Sequence, residues 1–248
     1  MNLSKINKVG EINRMNNGQL AEIIEYENKN NITIKFEDGT ILSNIQYGNF
    51  KRGWVKNPYI PTLFGVGYIG NENTIDCCGN LLKSYTVWRN MLSRCYCNKD
   101  KYYNMYGDKG VTVCEEWHNY SNFKKWFDEN YYELEGEIVD LDKDILVEGN
   151  KVYSPKTCIF VPKRINCLFR NHKKENNLPK GVYFQDGRYR CQIRIKGKIK
   201  HLGYYNTIEE ASSVYLKAQK EEIKRTAEEY KNKIPKNLYN RLIEIYIK

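Results

Sequence analysis

No stretch of the 248-residue chain approaches the ~18 consecutive apolar residues of a membrane-spanning helix. Its first residues, Met-Asn-Leu-Ser-Lys-Ile-Asn-Lys, lack the apolar core of a secretion signal. Both absences predict a soluble protein of the cytoplasm with no membrane partner. Histidine is scarce, with three residues, so imidazole can come only from His118, His172 and His201. Eight cysteines are present, but the C-x(2–4)-C pairs that let two thiolates converge on zinc are missing. Cys77 and Cys78 adjoin, Cys95 and Cys97 fall one residue short, and Cys114, Cys158, Cys167 and Cys191 stand alone. In a reducing compartment these thiols are expected as small buried apolar groups ahead of zinc ligands, with a scattered site from Cys95, Cys114 and Cys158 as the weaker alternative. Acidic residues are the minority charge, 30 against 40 Lys and Arg, for a formal net charge of +10.

What is present argues for a folded chain. Apolar residues make up 41% and aromatics 13%, including 21 tyrosines, which excludes a disordered polymer. The length suits one large domain or two to three small ones. Over residues 1–58 the pattern is that of short strands. Gln19–Tyr26 is mostly apolar, and Asn31–Phe36 alternates, with Ile32, Ile34 and Phe36 on one face and Thr33 and Lys35 on the other. Asn16-Asn17-Gly18 and Asp38-Gly39 are turn signals. This run predicts a small SH3-like or KOW-like β-barrel.

Residues 59–170 follow as a second segment. Gly65-Val66-Gly67-Tyr68-Ile69-Gly70 spells G-x-G-x-x-G, yet Pro58 and Pro61 precede it and Asn71-Glu72-Asn73 follows. A dinucleotide site needs a buried strand before the glycines and a helix N-terminus after them, so no nucleotide cofactor is expected. Val87, Trp88, Met91, Leu92 and Cys95 form a helical stripe behind Ser84 as N-cap, and Phe123, Trp126 and Phe127 repeat it behind Ser121. Val111–Cys114 is strand-like. Further strands are expected near 139–145 and 157–162, around a Ser154-Pro155 turn, with a helix from Lys163. Residues 171–180 are nearly devoid of apolar groups and predict a linker.

The segment 181–248 carries the sharpest pattern. Tyr189, Cys191, Ile193 and Ile195 share one strand face; Arg188, Arg190, Gln192, Arg194 and Lys196 share the other. After Gly197, Lys198 and Lys200 are expected to extend the basic surface. Residues 178–206 hold seven Lys or Arg and one Asp. Thr207-Ile208-Glu209-Glu210 is a capping box, and Ala211, Val214, Tyr215 and Ala218 form the stripe that would cover the sheet. Arg and Gln pair bidentately with guanine and adenine edges, so this face predicts contact with double-stranded DNA.

Gly181-Val182-Tyr183, Gly187 to Ile193, His201-Leu202-Gly203-Tyr204-Tyr205 and Thr207-x-Glu209-Glu210-Ala211 together resemble an AP2/ERF DNA-binding domain. The resemblance implies a three-stranded sheet lying in the major groove with a helix behind it. Two central stretches are similar to phage HNH homing-endonuclease-like proteins. One runs from Trp88-x-x-Met91-x-x-Arg94-Cys95-Tyr96 to Tyr106-Gly107 and Gly110–Trp117. The other joins Leu141-Asp142-Lys143-Asp144 to Gly149-Asn150, Tyr153–Cys158 and Asn166.

The second resemblance implies a ββα-metal unit holding one Mg²⁺ or Mn²⁺. By position Asp142 and Asn166 would be the metal ligands, and Lys143 and Asp144 the catalytic pair. Lys143 stands where such a centre has its histidine base. A lysine, with a reference pKa near ~10.4, would need a fall of about three units to act as base near neutrality. The chain is thus expected to be an α+β multidomain protein: barrel, HNH-like unit with flanking helices, and AP2-like sheet with a C-terminal helical extension. The implied activity is sequence-directed DNA binding with metal-dependent phosphodiester hydrolysis. The alternative is a catalytically degenerate HNH scaffold acting in regulation or phage–host interference. A phage origin would place it in a bacterial cytoplasm.

Overall fold

The structure, a computed structural model, describes residues 8–169 and 178–247. Most of the predicted linker, with His172, lies outside the described residues. The elements in chain order are β1 (Ile12–Arg14), β2 (Leu20–Asn28), β3 (Asn31–Phe36), β4 (Ile41–Ile45), α1 (Tyr47–Lys51) and α2 (Lys83–Tyr96). Next come β5 (Thr112–Val113), α3 (Tyr120–Asn130), β6 (Val139–Asp142), β7 (Val152–Tyr153), β8 (Ile159–Pro162) and α4 (Lys163–Phe169). The chain ends with β9 (Val182–Gln185), β10 (Arg188–Ile195), β11 (Lys198–Tyr205), α5 (Ile208–Tyr230) and α6 (Lys236–Ile247). The fold is mixed α+β with several small sheets. It divides into two compact units, Met1–Cys97 with Glu115–Lys124 and Asn98–Cys114 with Lys125–Lys248. No helix among the described residues is long and apolar enough to cross a membrane.

In the first unit, β1 to β4 form an antiparallel meander in sequence order. The alternation of β3 is realised: Ile32, Ile34 and Phe36 are buried with Ala21, Ile23 and Phe50. The expected turns form as well, with Gly18 and Gly39 at φ of +92° and +88°. The expected closed barrel does not form, because among the described residues β1 and β4 remain the two edges. After β4 the chain coils into α1, and Phe50 plugs the sheet's apolar face. Asn13 Nδ2 on β1 donates to the carbonyls of Phe50 (2.6 Å) and Lys51 (3.1 Å), so that edge meets a helix end and not a strand.

The glycine motif at 65–70 packs against the helical part of this unit. A side chain at Gly67 would run into Leu92 and Trp88, and one at Gly70 into Ser121 and Asn119. Trp88, Met91, Leu92 and Cys95 are buried on α2 as the stripe predicts. Ser84 does not cap it. The helix begins one residue earlier, and the Ser84 hydroxyl is buried against that of Tyr120 at 2.7 Å. Asn119 takes the corresponding role at α3, its Oδ1 accepting the Ser121 N–H, while Ser121 Oγ bonds the Ile69 carbonyl.

In the second unit, β6 and β8 pair antiparallel with Asp142 opposite Ile159 and Asp140 opposite Val161, and α4 follows β8 directly. Phe160 is 1% exposed and sits among Trp126, Phe127 and Tyr131, with ring centroids 5.2–5.3 Å away. On the other face Ile159, Val161 and Ile165 join Ile223, Ala227 and Tyr230 of α5 and Leu238 and Leu242 of α6 in one core. The C-terminal helices therefore pack on the central hairpin. The first turns of α5 serve the sheet β9–β10–β11 instead, through Ala211 and Tyr215 against Val182, Cys191 and Ile193. Thr207 and Glu210 form the expected capping box, with both reciprocal bonds present.

Candidate nucleic-acid interface and the central hairpin

The C-terminal sheet has one covered and one open face, and the register assigns each residue. Cys191 lies opposite Val182 and Gly203 and is buried against α5. Arg190 lies opposite Tyr183 and Tyr204 on the open face, with its guanidinium 5.4 Å from the Tyr183 ring. Arg188 faces Gln185, Gln192 faces His201, and Arg194 faces Ile199. Arg188, Arg190, Gln192 and Arg194 thus share one open face, as their alternation requires.

Three further basic residues are placed elsewhere. The β10–β11 hairpin turns on Lys196-Gly197, both with positive φ, so Ile195 pairs with Lys198 and Ile193 with Lys200. Lys198 and Lys200 are exposed, but they belong to the α5 side of the sheet. Lys196 points its Nζ to Glu229 Oε2 on α5, 3.4 Å away. That carboxylate is already gripped by both amino nitrogens of Arg164, at 2.6 and 2.9 Å, and the Arg164 hydrogen bonds hold its pKa down at about 2. Beyond the turn, an irregularity at Leu202 inserts one residue into β11, which brings Tyr204 back to the open face. The Tyr204 ring meets that of His201 at a tilt of 55°, with centroids 4.9 Å apart. Tyr183, Ile199, His201 and Tyr204 complete the surface. A two-residue turn read at Lys196-Gly197 would have placed Ile199, whereas the inserted residue leaves no mark in the alternation.

The central hairpin collects Asp142, Lys143 and Asp144 at the end of β6. Asp142 Oδ1 accepts the N–H groups of Asp144 and Ile145, each at 2.8 Å, and so closes the turn. Burial pushes the Asp142 carboxyl pKa up, with those two backbone bonds opposing the rise. Lys143 is 7% exposed and its ammonium donates to the Asn150 carbonyl at 2.6 Å and to Asp144 at 2.7 Å. Asn150 answers with its own side chain, donating to the carbonyls of Lys143 (2.9 Å) and Val152 (2.7 Å). Asn150 was not among the expected site residues; its place in the turn gave no signal beyond Gly149-Asn150. Asn166 is half-buried on α4, which packs on the face of the hairpin that carries Asp140 and Asp142. Replacing Lys143 by Met should cost about 1–3 kcal/mol of unfolding free energy in urea, because the Asn150 carbonyl would lose a buried partner.

These residues fit a divalent cation poorly. One oxygen of Asp142 is committed to two backbone donors, and the next side chain is a cation. Hard cations of this kind call for several oxygen ligands, carboxylates foremost. Among the described residues no group of three His, Cys, Asp or Glu side chains is placed to hold a metal ion. His118 is edge-on to Tyr96, with its Nε2 3.4 Å from the phenol oxygen. Cys158 is buried, which pushes its thiol up to about 12. No family model, no curated protein and no solved structure matches the chain, so its reading rests on its own residues.

Proposed function

We propose that the chain binds double-stranded DNA through the open face of β9–β10–β11, with the central hairpin serving as a catalytically silent HNH-like scaffold. The observation that carries this reading is the row Arg188, Arg190, Gln192 and Arg194 on one open sheet face, backed by a helix on the other. Long donors on a twisted sheet suit base edges in a major groove, and the AP2/ERF resemblance points the same way. The test is anisotropy of labelled duplex DNA across a salt series. Affinity should fall with log salt at a slope near about −3, as three or four phosphates release counterions. Equal affinity for duplex RNA would overturn it, since the deep, narrow RNA major groove excludes a sheet.

A second reading, metal-dependent hydrolysis, draws on the order β6–β8–α4 with Asp142 and Asn166 on the facing elements. With Lys143 occupied by Asn150 and Asp144, supercoiled plasmid is expected to stay intact in Mg²⁺ and in Mn²⁺ as it does in EDTA. Nicking by the wild type that disappears in Asp142→Ala and Asn166→Ala would establish the hydrolytic reading instead.

A further inference from the structure

Residues 39–71 contain no Asp or Glu, and their cations are Lys51, Arg52 and Lys56. Beyond α1 burial alternates along the chain, with Gly53, Val55 and Asn57 buried and Arg52, Trp54 and Lys56 exposed. Trp54 is 58% exposed, whereas Trp88 and Trp117 are fully buried and Trp126 is stacked on Phe160. The Arg52 guanidinium lies 4.8 Å from the Trp54 ring and orients it. Lys51 is committed to Glu11 at 2.7 Å. Neither Arg52 nor Lys56 forms an ion pair among the described residues. The nearest acidic side chain in sequence, Asp38, is engaged by Asn57 Nδ2 at 2.8 Å and by the Thr40 N–H at 2.9 Å.

An exposed indole between two cations does nothing for the core of its unit, where Phe50 and Val55 do the filling. It has the makings of a stacking platform: an aromatic face for a base, flanked by charges for the phosphates on either side. Such a platform takes unpaired bases, because those in a duplex offer no free face.

We propose that Arg52, Trp54 and Lys56 form a second nucleic-acid contact, separate from the C-terminal sheet, that stacks an unpaired base of single-stranded DNA on Trp54. The row binds by stacking and charge, so it favours no particular sequence. It is independent of the duplex reading above, and a failure of either leaves the other standing.

The experiment titrates the full chain with a fifteen-residue oligo(dT), following tryptophan emission. Wild type and the Arg188→Ala/Arg190→Ala/Arg194→Ala variant should both be quenched. Trp54→Phe should lose the quenching, and Trp54→Ala should bind roughly tenfold more weakly or worse. Arg52→Ala with Lys56→Ala should weaken binding and flatten its salt dependence. Quenching that persists in Trp54→Phe overturns the proposal, as does its absence from the wild type. A blue shift of emission with rising protein concentration, lost in Trp54→Phe, would overturn it in favour of self-association through the same row.

Discussion

Arg188→Ala, Arg190→Ala and Arg194→Ala combined should lower affinity for duplex DNA at least about a hundredfold, since each well-formed base contact contributes about 1–3 kcal/mol. The three side chains stand on alternate positions of β10 and point away from α5, so their loss removes contacts without opening the core. Arg190 needs its own control. Its guanidinium covers Tyr183, and its Nε is buried without a hydrogen-bond partner. Thermal midpoints of the single variants will separate that packing from binding. The informative comparison is Lys198→Ala with Lys200→Ala, which removes two charges from the α5 side. That pair should cost only a few-fold, through long-range charge and a shallower salt slope. A larger loss for the lysine pair than for the arginine triple would reverse the assignment of faces.

Gly181→Ala should be the most damaging small substitution in the sheet, at about 2–5 kcal/mol from overpacking and left-handed backbone strain together. Gly181 has φ of +76°, and an added Cβ would fall 1.9–2.1 Å from ring carbons of Tyr215 and 2.7 Å from the Gln192 carbonyl oxygen. Tyr215 is 6% exposed and has little room to retreat. Gly181 also accepts the Gln192 N–H at 2.9 Å, so displacing it disturbs the strand that presents the arginines. Gly187→Ala is the control. It shares the positive φ, at +74°, but meets open space, so only the backbone part of the cost, about 1–2 kcal/mol, should remain. Urea unfolding of both, and of Gly181→Ala in a Tyr215→Ala background, measures the contact. Equal losses at the two glycines would show that the Tyr215 ring yields.

The loss of affinity and the loss of stability meet in α5. Its first turns hold the sheet through Ala211 and Tyr215, and its second half holds the central hairpin through Ile223, Ala227 and Tyr230. Glu229 adds a polar tie, taking Arg164 from α4 and Lys196 from the β10–β11 turn. A linker drawn at residues 171–180 divides the sequence by composition. Packing follows a different rule here, since one long helix supplies apolar faces to the elements on both sides of that stretch.

The sequence by itself determined the elements whose side chains repeat with the period of the backbone. Alternation set β3 and β10, the apolar stripes set α2 and the start of α5, and the spacing of Thr207 and Glu210 set the capping box, because each depends on neighbours within one or two turns. Only the tertiary structure decided whether the first sheet closed, where Lys196, Lys198 and Lys200 pointed, and what Lys143 did. Each of those outcomes depends on a partner distant in the chain or on a register. Phe50 and Asn13 leave the sheet open, Glu229 takes Lys196, and a two-residue turn sends Lys198 and Lys200 to the α5 side. Asn150, seven residues on, accepts from the Lys143 ammonium and donates back to the Lys143 carbonyl, so this lysine holds a turn.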